Sequence, residues 1–177
     1  MYYTRIIYNA NNWICPSGAE GKSTGQSFEA RSHFGFDEWL FDFDKLIEGY
    51  HYGFLQGLRF GQPNNMPIKL YTIHRINNNG LQPRYWVGTI NKWEFINIQD
   101  SNVIEQQYYQ NGWIMQMRNQ VINVNAIVNE FDLVYSDLSK ALFNVRFKPS
   151  YVQIFNPRIF VVEQEVNDKK RYQLHQE

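Results

Sequence analysis

Cysteine is nearly absent: a single one, Cys15, stands in 177 residues. One thiol cannot close an internal disulfide or supply a cysteine zinc cluster, so the fold rests on packing and a reducing, cytoplasmic setting is expected. Cys15 itself reads as a small buried side chain. Histidine is sparse too. His33, His51, His74 and His175 lack the short spacings of ligand pairs, and no metal or other cofactor is expected. No apolar run approaches membrane-spanning length, and Arg5 with several tyrosines interrupts any signal-peptide core, so no membrane partner is expected. Internal repeats and low-complexity tracts are missing. Net charge is zero, which argues against a wholly basic nucleic-acid binder.

One sign of charge is missing locally. From Gly49 to Trp93 there is no Asp or Glu, while Arg59, Lys69, Arg75, Arg84 and Lys92 are present; from Leu138 to Val162 the same holds around Lys140, Arg146, Lys148 and Arg158. Both windows read as strands. If those strands share one sheet, one face carries a positive field and acids gather on the other.

What the chain has in quantity is aromatic surface, 17% of residues with 12 Tyr, 13 Phe and 5 Trp. These favour strands, build a core of flat side chains and offer stacking faces. The length suits one domain with a substantial core. The organising stretch runs from Asn11 to Asp42, a long segment punctuated by Gly18, Gly21, Gly25 and Gly35 and bracketed by Trp13 and Trp39. A loop of that length in a compact domain is functional or disordered. Its Ser17, Lys22, Ser23, Thr24, Ser27, Arg31 and His33 suit an anionic or planar partner; the plainer reading is a surface Ω-loop whose two Trp plug the core.

Strands are expected over 2–8, 50–58, 68–76, 84–90, 93–98, 143–155 and 157–164, with the 77–80 Asn-Gly stretch as a turn in a central meander. In the 50–58 strand, Gly53 marks a bulge or a close backbone approach. The spacing of Trp39, Leu40, Phe43 and Leu46 predicts a short helix ended by Gly49. Ser101 is expected to cap a helix over 103–110, broken at Asn111-Gly112 and followed by a second helix with Trp113, Met117, Val121 and Val124 as core. The segment 125–141 is ambiguous and suits a further short helix. The domain is assigned to 1–164, leaving 165–177 as an exposed tail or the start of a linker.

Several chemistries fail on spacing. The GAEGKST stretch resembles a P-loop, but Pro16 stands where the first glycine of GxxxxGK[ST] belongs. Asp37, Glu38, Asp42 and Asp44 look like an acidic helix surface, although acid-base work by Asp37 or Glu38 with His33 or His51 stays open. What remains is a binding surface of basic strands, a Gly/Ser/Lys loop and aromatics that include Trp86. Holding a single base outside the stack requires such aromatic faces, with Arg and Lys on the phosphates.

The motifs NNWxxPSG (11–18) with GKS (21–23), GFDEWLFD (35–42), GYHYGFLQ (49–56), LYTI (70–73), RYWVGTI (84–90) and FNVRFKP (143–149) carry a resemblance. Over roughly 2–164 the chain resembles the modified-DNA-reading domains of bacterial modification-dependent restriction systems, similar to the PUA-like superfamily with its EVE, YTH, ASCH and SRA members. The resemblance implies an α+β single domain, a strongly curved, mostly antiparallel sheet or pseudo-barrel with flanking helices. It implies a sensor without catalytic residues, acting in restriction or phage defence, that flips a 5-methyl- or 5-hydroxymethylcytosine of DNA into a pocket. Any nuclease would lie in another domain or chain. Carried onto this sequence, the pocket draws on Asn12, Trp13, Trp39, Tyr50 and Tyr52, with Trp86 as a further aromatic, and Lys22, Ser23, Arg75 and Arg84 contact phosphates. The competing readings are an enzyme of small-molecule or nucleotide chemistry using the 11–42 loop, and a protein-interaction module with exposed aromatics.

Overall fold

The computed structural model describes residues 1–59, 61, 66–76, 82–162, 166 and 174–176. In chain order its strands are β1 (Tyr2–Ile6), β2 (Leu46–Ile47), β3 (Tyr50–Gly53), β4 (Ile68–Ile73), β5 (Arg84–Ile90), β6 (Glu94–Phe95), β7 (Val145–Phe147), β8 (Val152–Phe160) and β9 (His175–Gln176). The helices are α1 (Phe28–Ser32), α2 (Ile98–Gln110), α3 (Trp113–Asn123) and α4 (Val128–Tyr135), with 3-10 turns at Phe36–Trp39 and Pro149–Tyr151. Together they make one α+β domain.

Two sheets form in place of the single curved one expected. The first has the order β8-β5-β4-β1-β9, with β1 parallel to β4 and every other pair antiparallel. The second, β2-β3-β7-β6, is antiparallel throughout. No closed barrel is present among the described residues. The physical reason lies in burial. Val145 and Phe147 pack with Ile6, Leu70, Val87 and Ile90 of the first sheet. Tyr52, on β3, packs instead with Tyr108, Met117, Phe131 and Phe143 of the helical side. A sheet buried on both faces is a middle layer, not the wall of a barrel. A third, smaller core of Tyr3, Tyr71, Trp86, Val161 and Val166 covers part of the first sheet elsewhere. Each acid-free window is therefore divided between the sheets, with β4, β5 and β8 in the first and β3 and β7 in the second.

Glycine decides two close approaches. A Cβ on Gly53 would lie 2.8 Å from Leu40 Cδ1, and one on Gly88 would lie 2.4 Å from the Gln153 carbonyl oxygen, where the β5/β8 register shifts. Both substitutions would force neighbours apart.

The helical layer begins earlier than its apparent cap. Asn97, four residues before Ser101, accepts from the Asp100 amide at 2.9 Å and starts α2. Ser101 is fully buried; it donates to Glu105 and accepts from the Phe143 amide. The helix expected over Trp39–Leu46 is a 3-10 turn followed by β2, and 125–141 does contain a helix, α4. The 77–80 turn lies outside the described residues. The tail expected to be exposed docks in part: β9 pairs with Tyr2 and Tyr3, His175 stacks on Tyr3 at 5.0 Å, and Val166 is buried.

Candidate functional site

A cavity of about 550 Å³ opens where β3 ends, β7 begins and β6 leads into α2. Its size falls within the ordinary range of ligand pockets. Phe28, Phe36, Phe54 and Phe95 give it aromatic walls, and Ile7, Leu58, Ile96, Ile98 and Val134 fill in between. Asn144 shapes one side. Its amide accepts from the Leu55 N–H and donates to the Leu55 carbonyl, both at 2.8 Å, while its own N–H donates to Gly53 at 2.9 Å. The side chain thereby continues the β3/β7 pairing by one step and fixes the 54–59 segment that carries Phe54, Gln56, Leu58 and Arg59.

The opposite side comes from the long loop. Gly35, Phe36 and Asp37 line the cavity from the 3-10 turn, and Ser27, Phe28 and Glu29 line it from α1. Asp37 Oδ2 accepts the Ile7 N–H at 2.7 Å, which ties the turn to the end of β1. Burial pushes the Asp37 carboxyl up to about 7; the Ile7 bond opposes the rise, and the charges of Glu38 and Glu29 add to it. A Cβ on Gly35 would sit 2.7 Å from Asp37 Oδ1 and 3.2 Å from Ile7 Cδ1, so those side chains would have to shift to admit one. Glu29 accepts from Arg5 at 3.4 Å and from Ser23 in a short contact. Arg59 and Lys140 are exposed at the rim. One comes from each acid-free window.

Behind the turn, the loop is organised by Glu38, which is wholly buried. Its Oε1 accepts from Asn9 at 2.8 Å and from the Ser17 amide and hydroxyl; its Oε2 accepts from Lys22 at 2.8 Å and the Gly35 amide at 3.0 Å. Burial pushes Glu38 up and the Lys22 ammonium opposes this. A second buried pair joins Lys45 and Asp42. Asp37, Glu38 and Asp42 are thus interior groups, which corrects their reading as an acidic helix surface; each is held inward by a specific donor. Cys15 is half-buried, and burial raises its thiol.

The residues expected to form the base pocket do not converge on one site. Asn12 is exposed, with φ of 54°. Trp13, 1% exposed, lies in the core between the sheets; its indole donates to the Ile7 carbonyl, and Arg158 covers its ring at 4.7 Å. Trp39 and Tyr52 lie in the helical core, where Trp39 donates to Gln120. Trp86 belongs to the third core beneath Lys69. Tyr50 is half-buried under Arg146 and Lys148, at 4.8 and 5.2 Å. The expected phosphate contacts are dispersed as well. Lys22 and Ser23 are buried in the carboxylate networks, while Arg75 and Arg84 are half-buried at the ends of β4 and β5, on the first sheet. None of these ten residues lines the cavity.

The sequence expectation rests on Trp and Tyr, whereas the cavity's aromatic walls are Phe. Their signal was present, since Phe36 and Asp37 belong to GFDEWLFD, Phe54 and Gln56 to GYHYGFLQ, and Asn144 to FNVRFKP. Among the described residues no group of three or more His, Cys, Asp or Glu is arranged to hold a metal, and no helix is long and apolar enough to cross a membrane. No family model, curated protein or solved structure gives a significant match to this chain.

Proposed function

We propose that this domain is a PUA-like reader of modified DNA that takes a flipped 5-methyl- or 5-hydroxymethylcytosine into the Phe-lined cavity and signals to a nuclease in another domain or chain. The observation that carries the proposal is convergence. Three motifs separated by up to about a hundred residues of chain, GFDEWLFD, GYHYGFLQ and FNVRFKP, meet at this cavity and supply its aromatic faces and polar edge. Arg59 and Lys140 at the rim suit a phosphate backbone, which positions the strand while the interior specifies the base. The open pair of sheets supports the α+β part of the resemblance and not the barrel.

Binding of the purified protein to duplexes that differ only in one cytosine, plain, 5-methyl or 5-hydroxymethyl, at two salt concentrations tests this. Selective binding that weakens with salt is expected; equal binding to all three would remove the reader assignment. The second reading, an enzyme of nucleotide chemistry, is favoured by one observation, the Asp37 carboxyl poised near neutrality inside a cavity. Turnover of free nucleotides or nucleosides that is lost in Asp37→Asn would favour it.

A further inference from the structure

We infer that a second cavity, on the helical side of the domain, binds an organic cation, a primary ammonium or a guanidinium carried on an alkyl stem. It lies between α2 and the end of α4, encloses about 410 Å³ and shares no lining residue with the Phe-lined cavity. That volume also falls within the ordinary range of ligand pockets. Asn102, Glu105 and Tyr109 stand at i, i+3 and i+7 on α2, so they form one stripe of the helix, and Tyr135 of α4 joins them in the lining.

Two groups of this stripe are left unmatched by the fold. Glu29, Glu38 and Asp42 are buried acids that each hold a buried cation, Arg5, Lys22 and Lys45. Glu105 is as deeply buried as Glu29, at 6% exposure, and holds none among the described residues. Its Oε1 accepts from the Ser101 hydroxyl and the Leu142 amide, both at 3.0 Å, which fixes the carboxyl in place without neutralising it. Burial pushes Glu105 up, opposed by those two bonds and by no cation. Asn102 adds the second deficit. Its Nδ2 donates to the Leu138 carbonyl at 3.4 Å, while its Oδ1 is buried and has no partner. A buried acceptor without a donor is costly, and a ligand N–H relieves it. Tyr109 and Tyr135 supply aromatic faces; burial raises the Tyr135 phenol, and the charges of Tyr109 and Glu105 raise it further, which puts these groups within range of one another. An unpaired carboxyl, an acceptor in need of an N–H and phenol rings together suit a cationic N–H donor. A phosphate would be repelled by the same carboxylate, so this cavity is no nucleic-acid contact.

The test titrates the whole protein with butylammonium, butylguanidinium, tetramethylammonium and neutral butanol, and reads binding from backbone amide shifts. At least one of the two N–H cations is expected to shift amides of 102–110 and 135–138 saturably. It should bind about ten-fold or more tighter than tetramethylammonium or butanol, the usual worth of a hydrogen bond to a charged group. Glu105→Gln removes the charge and keeps an oxygen for Ser101 and Leu142, so it should weaken that cation by about ten-fold while the protein still melts cooperatively. If that variant does not fold, Asn102→Ala serves instead; it should weaken the N–H cation and leave tetramethylammonium unchanged. Spermidine and a blocked peptide with a single Lys or Arg, compared in the same way, separate a free amine from a protein side chain as the source of the cation. Binding of tetramethylammonium or butanol as tight as that of the N–H cations overturns the proposal. So does the absence of any saturable shift at the cavity, or an unchanged affinity in a folded Glu105→Gln protein.

Discussion

Asp37 and Glu38 are adjacent in the chain, and the regions on either side of their turn are held together by opposite means. On the Glu38 side, the polar part of the loop between the buried Trp13 and Phe34 is pinned by polar contacts, with Glu38 accepting from Asn9, Ser17, Lys22 and Gly35. On the Asp37 side, apolar walls surround a cavity, and the carboxyl that lines it accepts the Ile7 amide. Both acids are raised by burial. What separates them is surroundings: both oxygens of Glu38 are filled by donors of the loop, whereas Asp37 lines a cavity.

Removing the fastening should have the largest effect. Glu38→Ala strands the Lys22 ammonium inside the protein and frees four loop donors; breaking a buried pair in this way costs about 3–5 kcal/mol. Denaturant unfolding measures it, and a loss below about 1 kcal/mol would show that the loop holds by other contacts. Asp37→Asn should act in the opposite direction, and only at higher pH. A carboxyl raised from 3.8 to about 7 in the folded state contributes stability that is complete below pH 4 and lost as pH rises through about 7. The wild type therefore carries the cost of a buried carboxylate above neutrality, and the Asn variant does not. A gain of roughly 1–4 kcal/mol at pH 8, absent at pH 4, is expected. His51 opposes this slope. Burial lowers it from 6.5 to about 4, so its contribution is present above pH 6.5 and lost as pH falls toward 4. Between pH 4 and 6.5 the two contributions offset each other in the wild type. In Asp37→Asn, stability should rise across that interval, which melting temperatures at several pH values would show.

Local pattern made much of this fold legible and left the site half legible. The helices α2 and α3 follow from period 3.6, and β4 and β5 from runs of β-branched and aromatic residues that are buried on both faces, against the first core and the third. The boundary of α2 was missed because Ser101 and Asn97 are both good caps, and only the burial of Ser101 against Phe143 distinguishes them. The division into two sheets depends on which layer each face of β3 and β7 meets, and short strands carry no signal of that. At the site, three of the quoted motifs contribute residues to the cavity, while the Trp, Tyr and Lys members that look most like binding groups in the sequence do not line it. Trp13 and Trp39 are the obvious stacking platforms in a polar loop, yet each indole N–H has found an internal acceptor, Ile7 or Gln120, and such a Trp is comfortable in a core. Lys22 looks like an anion ligand in the sequence because its acidic partner, Glu38, lies sixteen residues away in the chain.

Smaller effects sharpen the cavity side of the comparison. Phe54 is half-buried and lines the cavity without being central to any core, so Phe54→Ala should cost little stability and about 1–3 kcal/mol of base stacking, lowering affinity for the modified duplex more than for the plain one. Lys140→Ala should be the mildest. The side chain is 54% exposed and its pairing with Asp137 at 3.1 Å is a solvated surface ion pair, so the fold should not register its loss. If Lys140 contacts a phosphate, plain and modified duplexes should weaken alike, and the slope of log affinity against log salt should fall by about 0.9. A change in the ratio of modified to plain binding with the slope intact would place Lys140 on the base instead. The boundary between interior readout and rim attachment would then lie farther out than the wall formed by Phe54 and Asp37.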